Sequence, residues 1–130
     1  MQYGQGLREW WILARYVDKG MNLDKVFIVP FHVKRDRESI IPADVAGAYV
    51  SCYTAADRYE LAVKKCLSAL RADGVLVEEI LQPINTMSLE DWSKHVVDEW
   101  PDQADQMPSQ EEFEDALRGG NVVYGPFGSY

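Results

Sequence analysis

The chain has 130 residues, 47% hydrophobic and 26% charged, and carries a formal net charge of -8. This size and composition fit one globular domain and exclude a wholly disordered chain. The charge is uneven, because residues 75–130 contain only Lys94 and Arg118 as cations against twelve acids. A surface of this kind repels phosphates and anionic lipids, so the sequence predicts neither a nucleic acid nor a membrane as a partner.

Neither a membrane span nor a secretory signal is predicted. The longest apolar run, residues 26–31, is far shorter than the roughly 20 residues that cross a bilayer. Near the start, Glu9 and Arg15 bracket an apolar stretch that is too short for a signal peptide. We therefore expect a cytoplasmic protein, with Cys52 and Cys66 as reduced, buried thiols instead of a disulfide.

Residues 1–20 form a predicted helical extension ahead of a single domain over residues 21–130. Five apolar residues of the extension recur at the spacing of a helix: Leu7, Trp10, Trp11, Ala14 and Val17. Adjacent tryptophans would be adhesive if exposed. We expect them to pack on the domain or on a second copy of the chain.

Strands are predicted at residues 25–33, 47–53, 75–81 and 122–124, where β-branched and aromatic residues concentrate. Pro30 lacks an amide proton, so the first strand is expected to be an edge strand there or to carry a bulge. Helices are predicted at 55–72 and 89–100 and from 110 to Gly119. Each follows a cap pattern, beginning at Thr54, Ser88 and Ser109 respectively.

The strand–helix–strand order over residues 47–81 favours a right-handed crossover between parallel strands. The predicted fold class is therefore α+β. We expect a two-layer sandwich, with a four-stranded mixed sheet and helices on one face, in a ferredoxin-like or related arrangement.

Three residues of the second predicted helix are candidates for catalysis. Asp91, His95 and Glu99 recur every four residues and so share a helix face, where acids could orient an imidazole or hold a cation. Exposed acids beside a histidine are common on helices, and no second histidine ligand is evident. Alternation also points Cys52 into the core, where a thiol is inert. The sequence thus predicts a non-catalytic protein without a metal or cofactor.

Ten carboxylates within residues 90–115 suggest a binding surface. Acids with aromatic anchors are typical of small inhibitors or immunity proteins that capture basic proteins. The predicted function is therefore to dock a basic protein partner through this acidic helical region. Its binding residues are Glu90, Asp91, Trp92, Asp98, Glu99, Glu111, Glu112, Glu114 and Asp115.

Two alternatives stay open at this stage. The chain could bind a small molecule, or act on one as a small enzyme, in a pocket between the sheet and the C-terminal tail. That pocket would be lined by His32, Tyr49, Tyr53 and Tyr124. The chain could also form a homodimer through sheet edges or through its N-terminal tryptophans.

Overall fold

A computed structural model describes residues 25–36 and 38–129. The predicted N-terminal helix and the domain boundary at residue 21 lie outside these ranges. The described chain is α+β. Its strands are β1 (Lys25–Arg35), β2 (Ala48–Ala55), β3 (Val75–Ile80), β4 (Asn85–Ser88), β5 (Val123–Tyr124) and β6 (Gly128–Ser129), and its helices are α1 (Tyr59–Ala72), α2 (Trp92–Glu99) and α3 (Gln110–Arg118).

All strand pairings among the described residues are antiparallel. β1 and β2 form the centre of one sheet, with β3 and β4 following one another along the outer edge of β1 and β5 and β6 along the outer edge of β2. Since β1 runs opposite to both β2 and β3, those two strands run parallel to each other with β1 between them. The predicted parallel relation across α1 is therefore present, although the two strands are not hydrogen-bonded neighbours.

Pro30 of β1 lies at the gap between the residues that pair with β4 and those that pair with β3. Its carbonyl accepts a hydrogen bond from the Leu81 amide at 2.9 Å, so its missing N–H also faces the β3–β4 side. Pairing with β4 ends at Ile28 and pairing with β3 begins at Phe31. The proline is tolerated within a central strand because no donor is required at this gap.

The sheet carries a separate hydrophobic core on each face. On the first face, Phe27, Val29 and Phe31 pack against Cys66 and Leu70 of α1. The alternate side chains of β1 and β2 point to the opposite face, where the two strands pack against α2 and α3. That second core includes Val26, Tyr53, Trp92, Val96, Phe113 and Leu117. We call the two sides the α1 face and the α2–α3 face.

The fold prediction is correct at the level of α+β but not in detail. The predicted four-stranded, mixed, ferredoxin-like sheet with helices on one face is not confirmed. Within residues 25–36 and 38–129 the sheet has six strands, its pairings are antiparallel, and helices cover both faces. The strands β4 and β6 were not predicted. β4 is short and polar and β6 is the dipeptide Gly128–Ser129, so neither has the apolar pattern from which a strand is predicted.

Of the three predicted helix caps, the structure contains the one at Ser109 but not those at Ser88 and Thr54. Ser109 begins α3 with the full reciprocal cap, its hydroxyl accepting from the Glu112 amide and its own amide donating to the Glu112 carboxylate. Ser88 precedes a 3₁₀ turn, Leu89–Asp91, without a side-chain cap. The predicted cap at Thr54 is wrong, because Thr54 is a buried residue of β2 and α1 begins later, at Tyr59.

Within the described residues, no helix has both the length and the apolar character needed to cross a bilayer.

Candidate functional site

An aromatic cluster joins α2 and α3 to the α2–α3 face of the sheet. Trp92 of α2 stacks on Phe113 of α3 with ring centroids 4.0 Å apart and planes within 2°. Tyr53 of β2 meets the edge of Trp92 at 5.1 Å and that of Trp100 at 6.0 Å. Tyr53 and Trp92 are 1% and 0% exposed. The cluster therefore fixes the position of both helices on the sheet.

His95 is the polar partner of this cluster. Its Nε2 lies 2.7 Å from the hydroxyl of Tyr53. Burial is the main reason why the pKa of Tyr53 is raised and that of His95 is lowered. At neutral pH the phenol is therefore protonated and the imidazole uncharged, so Tyr53 donates, Nε2 accepts, and the imidazole proton lies on Nδ1.

The three candidates for catalysis, Asp91, His95 and Glu99, share no hydrogen bond among the described residues. Among the described residues, the imidazole forms its hydrogen bond with Tyr53 and not with either acid. Asp91 and Glu99 are exposed, one preceding α2 and the other ending it. The raised pKa of Tyr53 also makes it a poor nucleophile or base. We interpret His95 as the acceptor that satisfies a buried phenol.

The described residues contain no group of three or more His, Cys, Asp or Glu side chains arranged to hold a metal ion.

The stability of the domain is expected to fall as the pH decreases below about 6.5, the ordinary pKa of histidine. Burial lowers the pKa of His95, while Asp98 and Glu99 oppose that shift. The unfolded chain therefore takes up the proton first, near the ordinary histidine pKa of about 6.5, and stability is lost from there down to the folded-state pKa. Urea titrations at several pH values would measure this loss.

His95→Gln is the matched variant, since its amide oxygen can still accept from Tyr53 but does not titrate. We expect a flatter dependence of unfolding free energy on pH for this variant over the same window. Equal slopes for the two proteins would contradict the role assigned to His95.

The carboxylates predicted as a binding surface belong to one layer of the molecule. We call residues 89–118 the acidic layer; they comprise α2, α3, the 3₁₀ turns Leu89–Asp91 and Ala104–Gln106, and the rest of the connection between the helices. The indole of Trp92 donates to the Pro108 carbonyl at 2.8 Å. Gln110 of α3 binds back to α2 and its preceding turn, through the Ser93 amide and the Leu89 carbonyl. These contacts hold the layer as one unit, and the sequence offered no signal for the bridging role of Gln110.

The acids of the layer are exposed, with the exception of half-buried Glu114. The ion pairs that involve them in the described chain are Lys94–Asp98 and Arg118–Glu114, each within a single helix. No described cation from the sheet half of the chain is paired with them. Trp92 was also predicted as a binding residue, but it is fully buried. It therefore holds the layer together and has no surface for a partner.

Of the four residues predicted to line the alternative pocket, the structure stacks two on each other and places the other two apart from them. His32 and Tyr49 stack at 4.9 Å on the α2–α3 face, whereas Tyr53 of the same face is buried under the helices. Tyr124 lies on the α1 face, where its hydroxyl donates to Asp73 at 2.7 Å. In the described part of the tail, β6 extends the sheet beside Ala48 and Tyr49.

Both cysteines are buried free thiols in the core of the α1 face. Burial, together with contact with Cys66, raises the pKa of the Cys52 thiol. A thiol that is protonated and shielded from solvent is a poor nucleophile, so the expectation that Cys52 packs as an apolar group is confirmed.

Comparison with known proteins yields no relative: no protein family, no curated protein and no solved structure matches this chain.

Proposed function

We propose that this chain is a non-catalytic binding protein whose acidic layer docks a basic protein partner. The observation that carries this proposal is the accumulation of ten carboxylates within residues 90–115, where Lys94 is the sole cation. Because the described ion pairs leave most of these acids unneutralised, their fields add together over the surface of the layer.

The rigidity of the acidic layer also supports the proposal. Its two helices are anchored by the stacked pair of Trp92 and Phe113 and by the hydrogen bonds of Gln110. A charged surface whose backbone is fixed before binding loses less conformational entropy when a partner docks. Electrostatic attraction mainly increases the rate of association, whereas packed contacts determine how long the complex lasts.

The test changes acids whose side chains make, within the described chain, no ion pair or hydrogen bond that supports the fold. Glu90, Glu99, Glu111 and Asp115 are exposed and take part in none of the ion pairs or side-chain hydrogen bonds described above. We expect that changing them to Gln or Asn slows association with the partner by about tenfold at low ionic strength and weakens its dependence on salt. Stopped-flow kinetics with a partner captured from the source lysate would measure both quantities.

A control variant changes the net charge by the same amount at a distance from the acidic layer. Glu38, Asp44, Asp57 and Glu60 are exposed acids of the sheet half, and their neutralisation should alter the association rate far less. Equal slowing by the two variants would show that only total charge matters. A captured partner that is not basic would remove the proposal altogether.

A further inference from the structure

The strand β3 is an open edge of the sheet. In the part of the chain that the structure describes, its one strand neighbour is β1. The Leu81 amide just after β3 donates to Pro30 of β1, so the adjacent residue Ile80 directs its own N–H and C=O away from β1. Backbone donors and acceptors at such an edge can pair with another extended chain.

A groove lies beside this edge. It has a volume of about 400 Å³ and is bounded by α1 on one side and β3 on the other. Its apolar lining comes from Leu67, Val75, Leu76 and Val77, and two charged residues, Asp36 and Arg71, complete it. In an added strand every second side chain points to the same face, so a groove of this size can receive one or two apolar side chains.

The charges along the edge distinguish between possible occupants. Glu78 and Glu79 are exposed on β3; Glu78 pairs with Lys34 at 2.8 Å, while Glu79 has no ion pair within the described ranges. A second copy of the chain added antiparallel to β3 would place the Glu78–Glu79 pairs of both copies near one another, and directly opposed like charges are unfavourable. Lysine or arginine in an added strand would instead meet these carboxylates.

The same edge continues toward the acidic layer. β4 follows β3 along β1 and leads directly into the 3₁₀ turn that carries Glu90 and Asp91. An extended segment that pairs with β3 and continues along the same edge would therefore reach the carboxylates at the start of the layer. This continuity favours a basic segment over an acidic one.

We propose that the open edge of β3 and its groove bind an extended, basic segment of a protein, which joins the sheet as an additional strand. Apolar side chains of the segment enter the groove, and its alternating Lys or Arg side chains pair with Glu78 and Glu79. The geometry of the edge carries this inference; only the identification of the segment as part of the natural partner rests on the proposed function.

The probe is a synthetic peptide in which lysine and valine alternate over about eight residues, with both termini blocked. Amide chemical shifts and hydrogen exchange of the isotope-labelled protein are measured during titration. We expect the shifts to concentrate at Leu76–Ile80, with slower exchange of the outward amide of Ile80. Two control peptides are used. The first has the same side chains but is N-methylated on alternate amides, and the second has the same backbone but carries glutamate in place of lysine.

Loss of backbone hydrogen bonds should weaken binding of the N-methylated peptide by about tenfold or more. The glutamate peptide should bind still more weakly, because it faces Glu78 and Glu79. A Leu67→Arg variant, which occupies the groove with a longer charged side chain, should weaken the lysine peptide in the same way. Because the peptide controls use the unaltered protein, a folding defect of this variant would not affect the conclusion.

Three outcomes would overturn the inference. They are equal binding of the N-methylated peptide, shifts confined to the acidic layer, and protection of β3 by self-association without peptide. The variant with neutralised Glu90, Glu99, Glu111 and Asp115 separates the two proposals. It should keep peptide binding at β3 even if the docking function fails, while loss of peptide binding alone would leave the docking function standing.

Discussion

Trp92→Ala is expected to lower the free energy of unfolding by about 3–5 kcal/mol, as large-to-small changes at buried aromatic positions do. Trp92 is fully buried, stacks on Phe113 and contacts the edge of Tyr53. Its removal leaves a cavity between α2, α3 and the sheet, and leaves the Pro108 carbonyl without its indole donor. Urea denaturation followed by circular dichroism would measure the loss.

Two comparisons make this prediction specific to packing. Trp92→Phe retains an aromatic ring against Phe113 and should cost less than the alanine variant. Tyr59→Ala removes an aromatic side chain that is 55% exposed, so it should change stability by roughly 0.5 kcal/mol or less. A Trp92→Ala protein within about 1 kcal/mol of the unaltered protein would show that the acidic layer is not held by this core.

Because Trp92 lies beneath the acidic layer, its alanine variant also bears on function. Loss of the packing between α2 and α3 would loosen the backbone that presents the carboxylates, while leaving the net charge unchanged. Slower association of the folded fraction of this variant would show that the arrangement of the charges matters as well as their number.

Features determined by neighbouring residues were predictable from the sequence. The density of Val, Ile and Phe predicted β1, and alternation placed Phe27, Val29 and Phe31 on one face, which they share in the structure as the α1 face. The reciprocal cap of Ser109 and Glu112 needs only the residues of one helical turn, and it forms as predicted.

Features determined by tertiary packing were not predictable in the same way. Thr54 has a hydroxyl followed three residues later by an acid, which locally resembles a cap, but β2 continues through Thr54 because its neighbours pair with β1. Alternation also showed that β1 has two different faces without showing that both are covered by helices. That requires knowing where α2 and α3 return to the sheet.

The candidate site also combines features set by neighbouring residues with features set by tertiary packing. Helical spacing grouped His95 with Asp91 and Glu99, but the hydrogen-bond partner of His95, Tyr53, lies forty-two residues away on β2. The sequence likewise grouped Trp92 with exposed acids because it lies among them. The stacking of Trp92 on Phe113 of α3 shows that Trp92 faces inward.

Gly74→Ala should also destabilise the domain, by about 2–4 kcal/mol from the combined cost of a left-handed alanine and disrupted backbone bonds. Gly74 has φ of 72°, and a Cβ there would lie 1.7 Å from the carbonyl oxygen of Glu38. The clash is with backbone, so no side-chain rotation relieves it. The loop must move, although it is held by bonds from the Asp36 amide to Gly74 and from the Ile40 amide to Asp73.

Gly128→Ala is the matched control for this second prediction. Its added Cβ would meet its nearest neighbour, the Tyr49 carbonyl oxygen, at 3.8 Å, which is ordinary contact. Its effect should therefore stay within roughly 0.5 kcal/mol, and thermal and urea unfolding of both variants would show the contrast. Because the loop that Gly74 holds contains Asp36, which borders the groove, Gly74→Ala should also weaken binding of the lysine–valine peptide. If Gly74→Ala were as stable as Gly128→Ala, the close approach between this turn and the loop after β1 would be refuted.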